Sequence, residues 1–241
     1  MSWRASRSRP LNAPAAFIHP CQPIAANHAP SGPDWAHELK RDGYRLRIHV
    51  YEGRVSLYTI NGANSSKSYP LIVRDAARME GSAIIDAEVV WFDSEGTPDF
   101  DVLYSGVSDG EVSACAFDLL MLNGEDFRCK PYVDRKAALR KLVQHDRGIQ
   151  YVEHAEGHGD RLFEAVCRLG LEGIVSKKLD APYCSEPRKP GSKSKTRRPP
   201  LQPVHLVGFS NSALKFIIQG STRPTMIRNL GYLFLAQCKS A

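Results

Sequence analysis

The sequence predicts an α+β fold. Three observations carry this reading. Two strand-like segments at residues 45–59 are closed by a glycine turn, long apolar runs occupy 83–92 and 113–122, and apolar side chains recur at helical spacing over 132–145 and 159–169. Hairpins alternating with helices in this way indicate α+β rather than a doubly wound parallel sheet.

In chain order, residues 1–30 form a Pro- and Ala-rich leader in which Phe17, Ile18 and Pro20 anchor an irregular segment to the body. Residues 45–50 and 54–59 alternate apolar and polar side chains around Tyr51-Glu52-Gly53, the pattern of a hairpin. A helix is expected over 71–79 and a buried strand over 83–92, with Asp93-Ser94-Glu95-Gly96 as its turn. A second buried strand over 113–122 stops at Asn123-Gly124. Val133, Ala137, Leu139, Leu142 and Val143 mark an amphipathic helix over 132–145. A strand at 149–152, a helix at 159–169 capped by Gly170, and a strand opened by Glu172 follow. Beyond residue 196, Arg197-Arg198-Pro199-Pro200 interrupts any strand, and residues 198–241 read as an atypical, poorly ordered tail.

Composition sets the outer bounds. With 42% hydrophobic and 24% charged residues among 241, the chain can bury one large core and is not disordered throughout. No apolar run reaches the length of a membrane span, and the arginines near the N-terminus precede no signal-like apolar stretch, so a cytoplasmic protein is expected. The six cysteines form no C-x-x-C pair and read as reduced thiols rather than a zinc ribbon. A net charge of +6 is concentrated between Lys177 and Arg198, a block suited to a polyanion such as nucleic acid.

The most informative stretch is Glu38-Leu39-Lys40-Arg41-Asp42-Gly43-Tyr44-Arg45. Lys40 falls where a loop enters a half-buried strand. A nucleophilic lysine needs a desolvated site or cationic neighbours that free its amine, and Arg41 and Arg45 are candidates for the latter. The bland reading of the same four residues, K-x-D-G, is a solvated lysine and aspartate at a turn. Glu88 and Glu172 end or open apolar strands, where a carboxylate needs a cationic partner: a neighbouring lysine or arginine, or a metal ion. Phe117 in its apolar strand reads as core or as a platform for a base. Lys193 and Lys195, two apart, would share a face on a strand; on a loop they join a basic run.

Taken together, these motifs resemble the ATP-dependent DNA ligase branch of the covalent nucleotidyltransferases, in particular the ligase domain of bacterial end-joining ligases. The likeness runs from about Phe17 to Lys195. The K-x-D-G-x-R motif is Lys40, Asp42, Gly43 and Arg45; the D-G-E strand is similar to Asp86-Ala87-Glu88; the adenine-stacking segment is similar to Ala116-Phe117-Asp118; and E-G-[IV]-[VM]-x-K stands complete as Glu172 to Lys177. Two departures stand out. Ile60 occupies the arginine position of an R-N-G turn, and Gly191-Ser192-Lys193-Ser194-Lys195 lacks the aromatic of W-x-K-x-K.

The resemblance implies a two-sheet nucleotidyltransferase domain over 31–197, of ligase, capping-enzyme and ATP-grasp type, without a complete OB-fold, since 198–241 is too short for that barrel. It implies ATP as cofactor with Mg²⁺ or Mn²⁺, and Lys40 as the nucleophile that takes up AMP. Glu38, Asp42, Arg45, Glu88, Phe117 and Lys177 would line the nucleotide pocket, Glu172 and Glu88 would hold metal, and Lys193 and Lys195 would clamp the α-phosphate. The expected substrate is nicked or broken duplex DNA in bacterial repair or recombination. The expected state is a monomer, of low turnover unless an end-joining or OB-fold-supplying partner completes it. The competing readings are a nucleotide- or DNA-binding remnant without turnover, which Ile60 and Gly191 favour, and a capping-type guanylyltransferase using GTP.

Overall fold

The computed structural model describes residues 17–94, 96–105, 112–143, 148–185 and 205–208. Among the described residues, eleven strands and four α-helices form two sheets with helices packed on them. One sheet runs in the order β1(Ile24–Ala25), β11(His205–Gly208), β10(Gly173–Lys178), β2(Trp35–Leu39), β9(His154–Glu156). The other runs β4(Arg54–Thr59), β3(Tyr44–Tyr51), β5(Ser82–Trp91), β6(Val112–Leu122), β7(Glu125–Asp126), with β8(Ile149–Tyr151) parallel to β6. The helices are α1(Pro70–Ala76), α2(Phe100–Tyr104), α3(Tyr132–Leu142) and α4(Gly159–Arg168).

The β3–β4 hairpin closes as expected, with Glu52 and Gly53 both at positive φ (47° and 77°), the geometry of a two-residue turn that matches strand twist. Leu46, Ile48 and Val50 of β3 face the main core with Ala83, Ile85, Ala87 and Val89 of β5. Their alternate neighbours Arg45, Arg47, His49, Asp86 and Glu88 therefore line the opposite face of that sheet. In the first sheet Ile174 packs with Leu162 and Val166 of α4, and Leu39 joins them. Glu38 and Lys177 thus point the other way. Both sheets present charged side chains to the cleft between them.

Several boundaries differ from the sequence reading. α1 ends at Ala76, and α3 ends at Leu142. The face of α3 is broader than its apolar pattern: Leu139 and Leu142, with Val143 just beyond, pack on the core as expected, but Tyr132, Arg135 and Lys136 are buried too, while Ala137 is exposed. Two cations lie inward because Arg135 pairs with buried Asp118 and Lys136 with buried Glu38, an arrangement that apolar periodicity cannot register. The short strands β1, β9 and β11 carry no signal of their own; backbone pairing with longer neighbours makes them. Residues 24–25 of the leader and 205–208 of the expected tail thereby belong to a sheet of the domain. The leader anchor forms as expected: Phe17 lies against Tyr58 and Gly62, and the Ile18 carbonyl accepts from Arg47 (3.2 Å). No helix among the described residues is long and apolar enough to cross a membrane.

Candidate active site

Two strand ends bring the reactive side chains together. Lys40 follows β2, and its amide donates to the Gly173 carbonyl (2.9 Å), which fixes it at the start of β10. Glu172 immediately precedes β10, and its carboxylate meets the Lys40 ammonium directly. The two side chains retain 25% and 28% of their exposure, enough for a ligand to reach them. Burial lowers the Lys40 pKa, while Asp42 and Glu88 oppose that shift. The expected cationic help is not what does this. Arg45 is turned onto Asp86 and Arg41 lies over the Phe92 ring (5.8 Å); neither of them bears on Lys40, and desolvation is the cause.

Gly43 lets the K-x-D-G turn press onto β5. A Cβ there would run into the carbonyl oxygen of Val89 and lie 3.1 Å from the Glu88 side chain. Gly43→Ala is expected to cost about 2–3 kcal/mol through overpacking, read as a lower midpoint in urea unfolding.

Asp86 is fully buried between two arginines. Arg45 grips both its oxygens (2.6 and 2.7 Å), Arg47 pairs with Oδ1, and the Tyr183 hydroxyl donates to Oδ2 (2.8 Å). Tyr183 in turn accepts from Arg47 Nη2 (2.7 Å) and from the Cys21 amide (2.8 Å). Burial raises the Asp86 carboxyl, but the two guanidiniums outweigh it and hold the group well below the usual carboxylate range.

Glu88 stands opposite Arg45 in the β3–β5 ladder. Burial pushes its carboxyl up to about 7, against the pull of Arg45 and Lys40. A raised native pKa means that the folded state holds the proton more tightly than the unfolded one. The resulting stability is complete below the ordinary value of 4.5 and is lost as pH rises through 7. Glu88→Gln is therefore expected to stabilise the nucleotide-free protein by about 1–3 kcal/mol near pH 8 and by little near pH 4, in thermal melts at both values.

Phe117 owes its orientation to a β-bulge. Asp86 pairs with Asp118 and the next residue, Ala87, with Ala116, which leaves Phe117 as the extra residue of β6. Its ring is half-buried against Val90, Cys115 and Val152 and carries two cations, Arg45 at 4.5 Å and Lys177 at 4.9 Å. It is at once part of the packing and a surface within the cleft.

Glu38 is engaged inside the protein. It accepts from the Tyr132 hydroxyl (2.7 Å) and pairs with Lys136 (2.8 Å) and Lys177 (2.6 Å). Burial raises its carboxyl, and the two ammoniums outweigh this to bring it down to about 2. Of the residues singled out in the sequence, the structure gathers Lys40, Asp42, Arg45, Glu88 and Glu172 at one end of the cleft. Glu38, Phe117 and Lys177 lie alongside, linked through the Phe117 ring. Lys193 and Lys195 lie outside the described residues. Ile60 is 42% exposed on the turn after β4.

Sequence reasoning gave no role to Asp86, Arg47, Tyr183, Tyr132 or Lys136. Arg47 was legible in principle, since it shares the strand face of Arg45 opposite an apolar face; Tyr132 and Lys136 carry no local signal.

The profile of the ATP dependent DNA ligase domain matches residues 19–195. The chain belongs to the ATP-dependent DNA ligase domain family. Among relatives of this ligase family, the multifunctional non-homologous end joining protein LigD of Pseudomonas aeruginosa is 32% identical over 158 residues, 63% of this chain and 19% of that protein. The SPbeta prophage-derived DNA ligase-like protein LigB of Bacillus subtilis is 31% identical over 150 residues, 61% of this chain and 55% of that one. Among solved ligases, mycobacterial DNA ligase D complexed with ATP and MES superposes with a TM-score of 0.61 at 27% identity, covering 79% of this chain and 60% of the other. The ligase domain of Mycobacterium tuberculosis LigD gives 0.60 at 27% identity, covering 78% and 58%. The chain thus spans between 19% and 60% of the length of these proteins. The two-sheet α+β architecture is that of ligase nucleotidyltransferase domains.

Proposed function

We propose that this chain is the adenylation unit of an ATP-dependent DNA-joining enzyme, acting on nicked or broken duplex DNA in repair or recombination. Lys40 gives up its proton to water, its Nζ attacks the α-phosphorus of ATP, and a P–N bond forms as the bond from that phosphorus to the oxygen bridging to the β-phosphate breaks, so that pyrophosphate leaves with that oxygen. AMP then passes to a 5′-phosphate, and a 3′-hydroxyl displaces it as the phosphodiester closes. The observation that carries this reading is a partly desolvated lysine, its pKa lowered by burial, at the mouth of a cleft that also holds Arg45, Glu88 and Glu172.

The residues present fit a divalent cation. Glu172 Oε2 is buried without a hydrogen-bond partner, and burial leaves the Glu88 carboxylate in want of positive charge. No group of three His, Cys, Asp or Glu among the described residues could hold a metal unaided, which suits an ion that completes its shell with phosphate oxygens and water. Mg²⁺ or Mn²⁺ bound by Glu172 and Glu88 would supply charge neutralisation at the phosphates. Arg45 steers the nucleotide beside the Phe117 ring, Lys177 adds a cation there, and Asp42 orients the Lys40 amine. Lys193 and Lys195 are assigned the α-phosphate on the strength of the motif alone. An OB-fold or end-joining partner would supply the remaining grip on DNA, which the basic residues from Lys178 onward begin through phosphate contacts.

Incubation with Mg²⁺ and α-labelled ATP or GTP, followed by a denaturing gel, tests the proposal. An ATP-derived band absent from Lys40→Ala and abolished by EDTA is the expected result. A GTP-derived band would point to capping chemistry, and no band to a binding remnant.

A further inference from the structure

Lys136 is a buried cation to which the proposed chemistry gives no part. Its side chain is 1% exposed, in a position no amphipathic pattern reserves for a charge. The ammonium donates to the Val152 carbonyl (2.6 Å), lies over the Tyr151 ring (4.2 Å) and pairs with Glu38 Oε1 (2.8 Å). That oxygen also accepts from Tyr132 (2.7 Å), while Lys177 holds the other oxygen (2.6 Å). One buried carboxylate thus serves two buried ammoniums, and the group carries an excess positive charge. Burying a lysine is costly. A single lysine would neutralise Glu38, so the second is not needed for charge balance.

We infer that Lys136 is a positioning residue of the nucleotide pocket, acting through Glu38 on Lys177. With Tyr132, it locks one carboxylate oxygen, so that the other is aimed at Lys177. Lys177 is thereby held between the Phe117 and Tyr132 rings, 4.9 and 5.0 Å from their centroids. Without Lys136, the Tyr132 hydroxyl alone holds that oxygen, Glu38 is less firmly aimed, and Lys177 loses its fixed place against the Phe117 face. The ligand concerned is the nucleoside part of a nucleoside triphosphate, and in this the inference rests on the adenylation reading above. Lys136 itself touches no ligand in this scheme; it sets where Lys177 stands.

The test is a comparison of wild type, Lys136→Met and Glu38→Gln, together with the double variant. ATP affinity is measured by calorimetry and self-labelling by its rate at increasing ATP. Lys136→Met is expected to weaken ATP binding and raise the KM for labelling about tenfold, the scale of losing one hydrogen bond to a charged group. The rate at saturating ATP should stay within about twofold, because Lys40 and Glu172 are untouched. The double variant should bind no worse than Glu38→Gln, since Lys136 acts only through that carboxylate. Unchanged affinity in a folded Lys136→Met, or additive losses in the double variant, overturns the inference. Should Lys136→Met fail to fold, Tyr132→Phe removes the other donor to the same oxygen and is read in its place, with a smaller loss of affinity expected and none overturning the idea. If the wild type binds ATP but takes no label, the adenylation reading fails, and the calorimetric comparison still decides the role of Lys136.

Discussion

Asp86→Ala is expected to lower the unfolding free energy by about 3–5 kcal/mol, the scale of stranding a buried charge. The carboxylate is fully buried, as is Arg47, and Arg45 also leans on it. Deleting it leaves the two guanidiniums with the backbone carbonyls of Ile18 and Cys21 and the Tyr183 hydroxyl as their remaining acceptors, and removes the acceptor of Tyr183. Asp86→Asn keeps the shape and one acceptor but not the charge, so most of the loss should persist. The size of the loss also has a pH signature. A carboxylate held far below its unfolded pKa stabilises the fold above that unfolded value of 3.8 and stops doing so as pH falls through the native one. The gap between wild type and Asp86→Asn should therefore be widest near neutral pH and narrow in acid. Urea titrations at a series of pH values would show it; a uniform gap of under about 1 kcal/mol would mean that Asp86 is not the anchor of the two arginines.

The same cluster explains what could and could not be read from the chain. The β3–β4 hairpin, β5 and β6 were legible because each buries one face, and period-two alternation writes that face into the residues. Arg45 and Glu88 were legible one at a time, each through its own motif; that they stand opposite each other is set by the β3–β5 register, which no local signal gives. Phe117 was ambiguous because a bulge decides its direction, and the residue that is extra in a ladder depends on the partner strand. α3 was placed correctly and Leu139, Leu142 and Val143 do pack on the core, but Arg135 and Lys136 also face inward, because Asp118 and Glu38, distant in sequence, await them. β1, β9 and β11 are two to four residues long and exist by pairing, so no local signal marks them. The effect of burial on Lys40 could not be separated in advance from an effect of Arg41 and Arg45, because sequence proximity does not show that Arg45 is turned onto a distant carboxylate, Asp86.

Glu172→Gln should behave in the opposite way, leaving stability almost intact while removing most self-labelling. The Lys40–Glu172 pair is about a quarter exposed at both ends, and such pairs contribute about 1 kcal/mol or less, so the melting temperature should hardly move. In the proposed chemistry, however, the Glu172 carboxylate is the ligand of the divalent ion. Charge stabilisation of a phosphoryl group by a metal is worth several kcal/mol, roughly a thousandfold in rate. Glutamine also removes the negative charge that holds the proton on Lys40, so the pH midpoint of the residual reaction should fall. A lower midpoint with a much lower plateau, and a higher Mg²⁺ requirement, assigns Glu172 to the metal. A lower midpoint with an equal or faster plateau would assign it instead to restraining Lys40, because an amine freed from its partner at no cost to the phosphate chemistry could only react sooner.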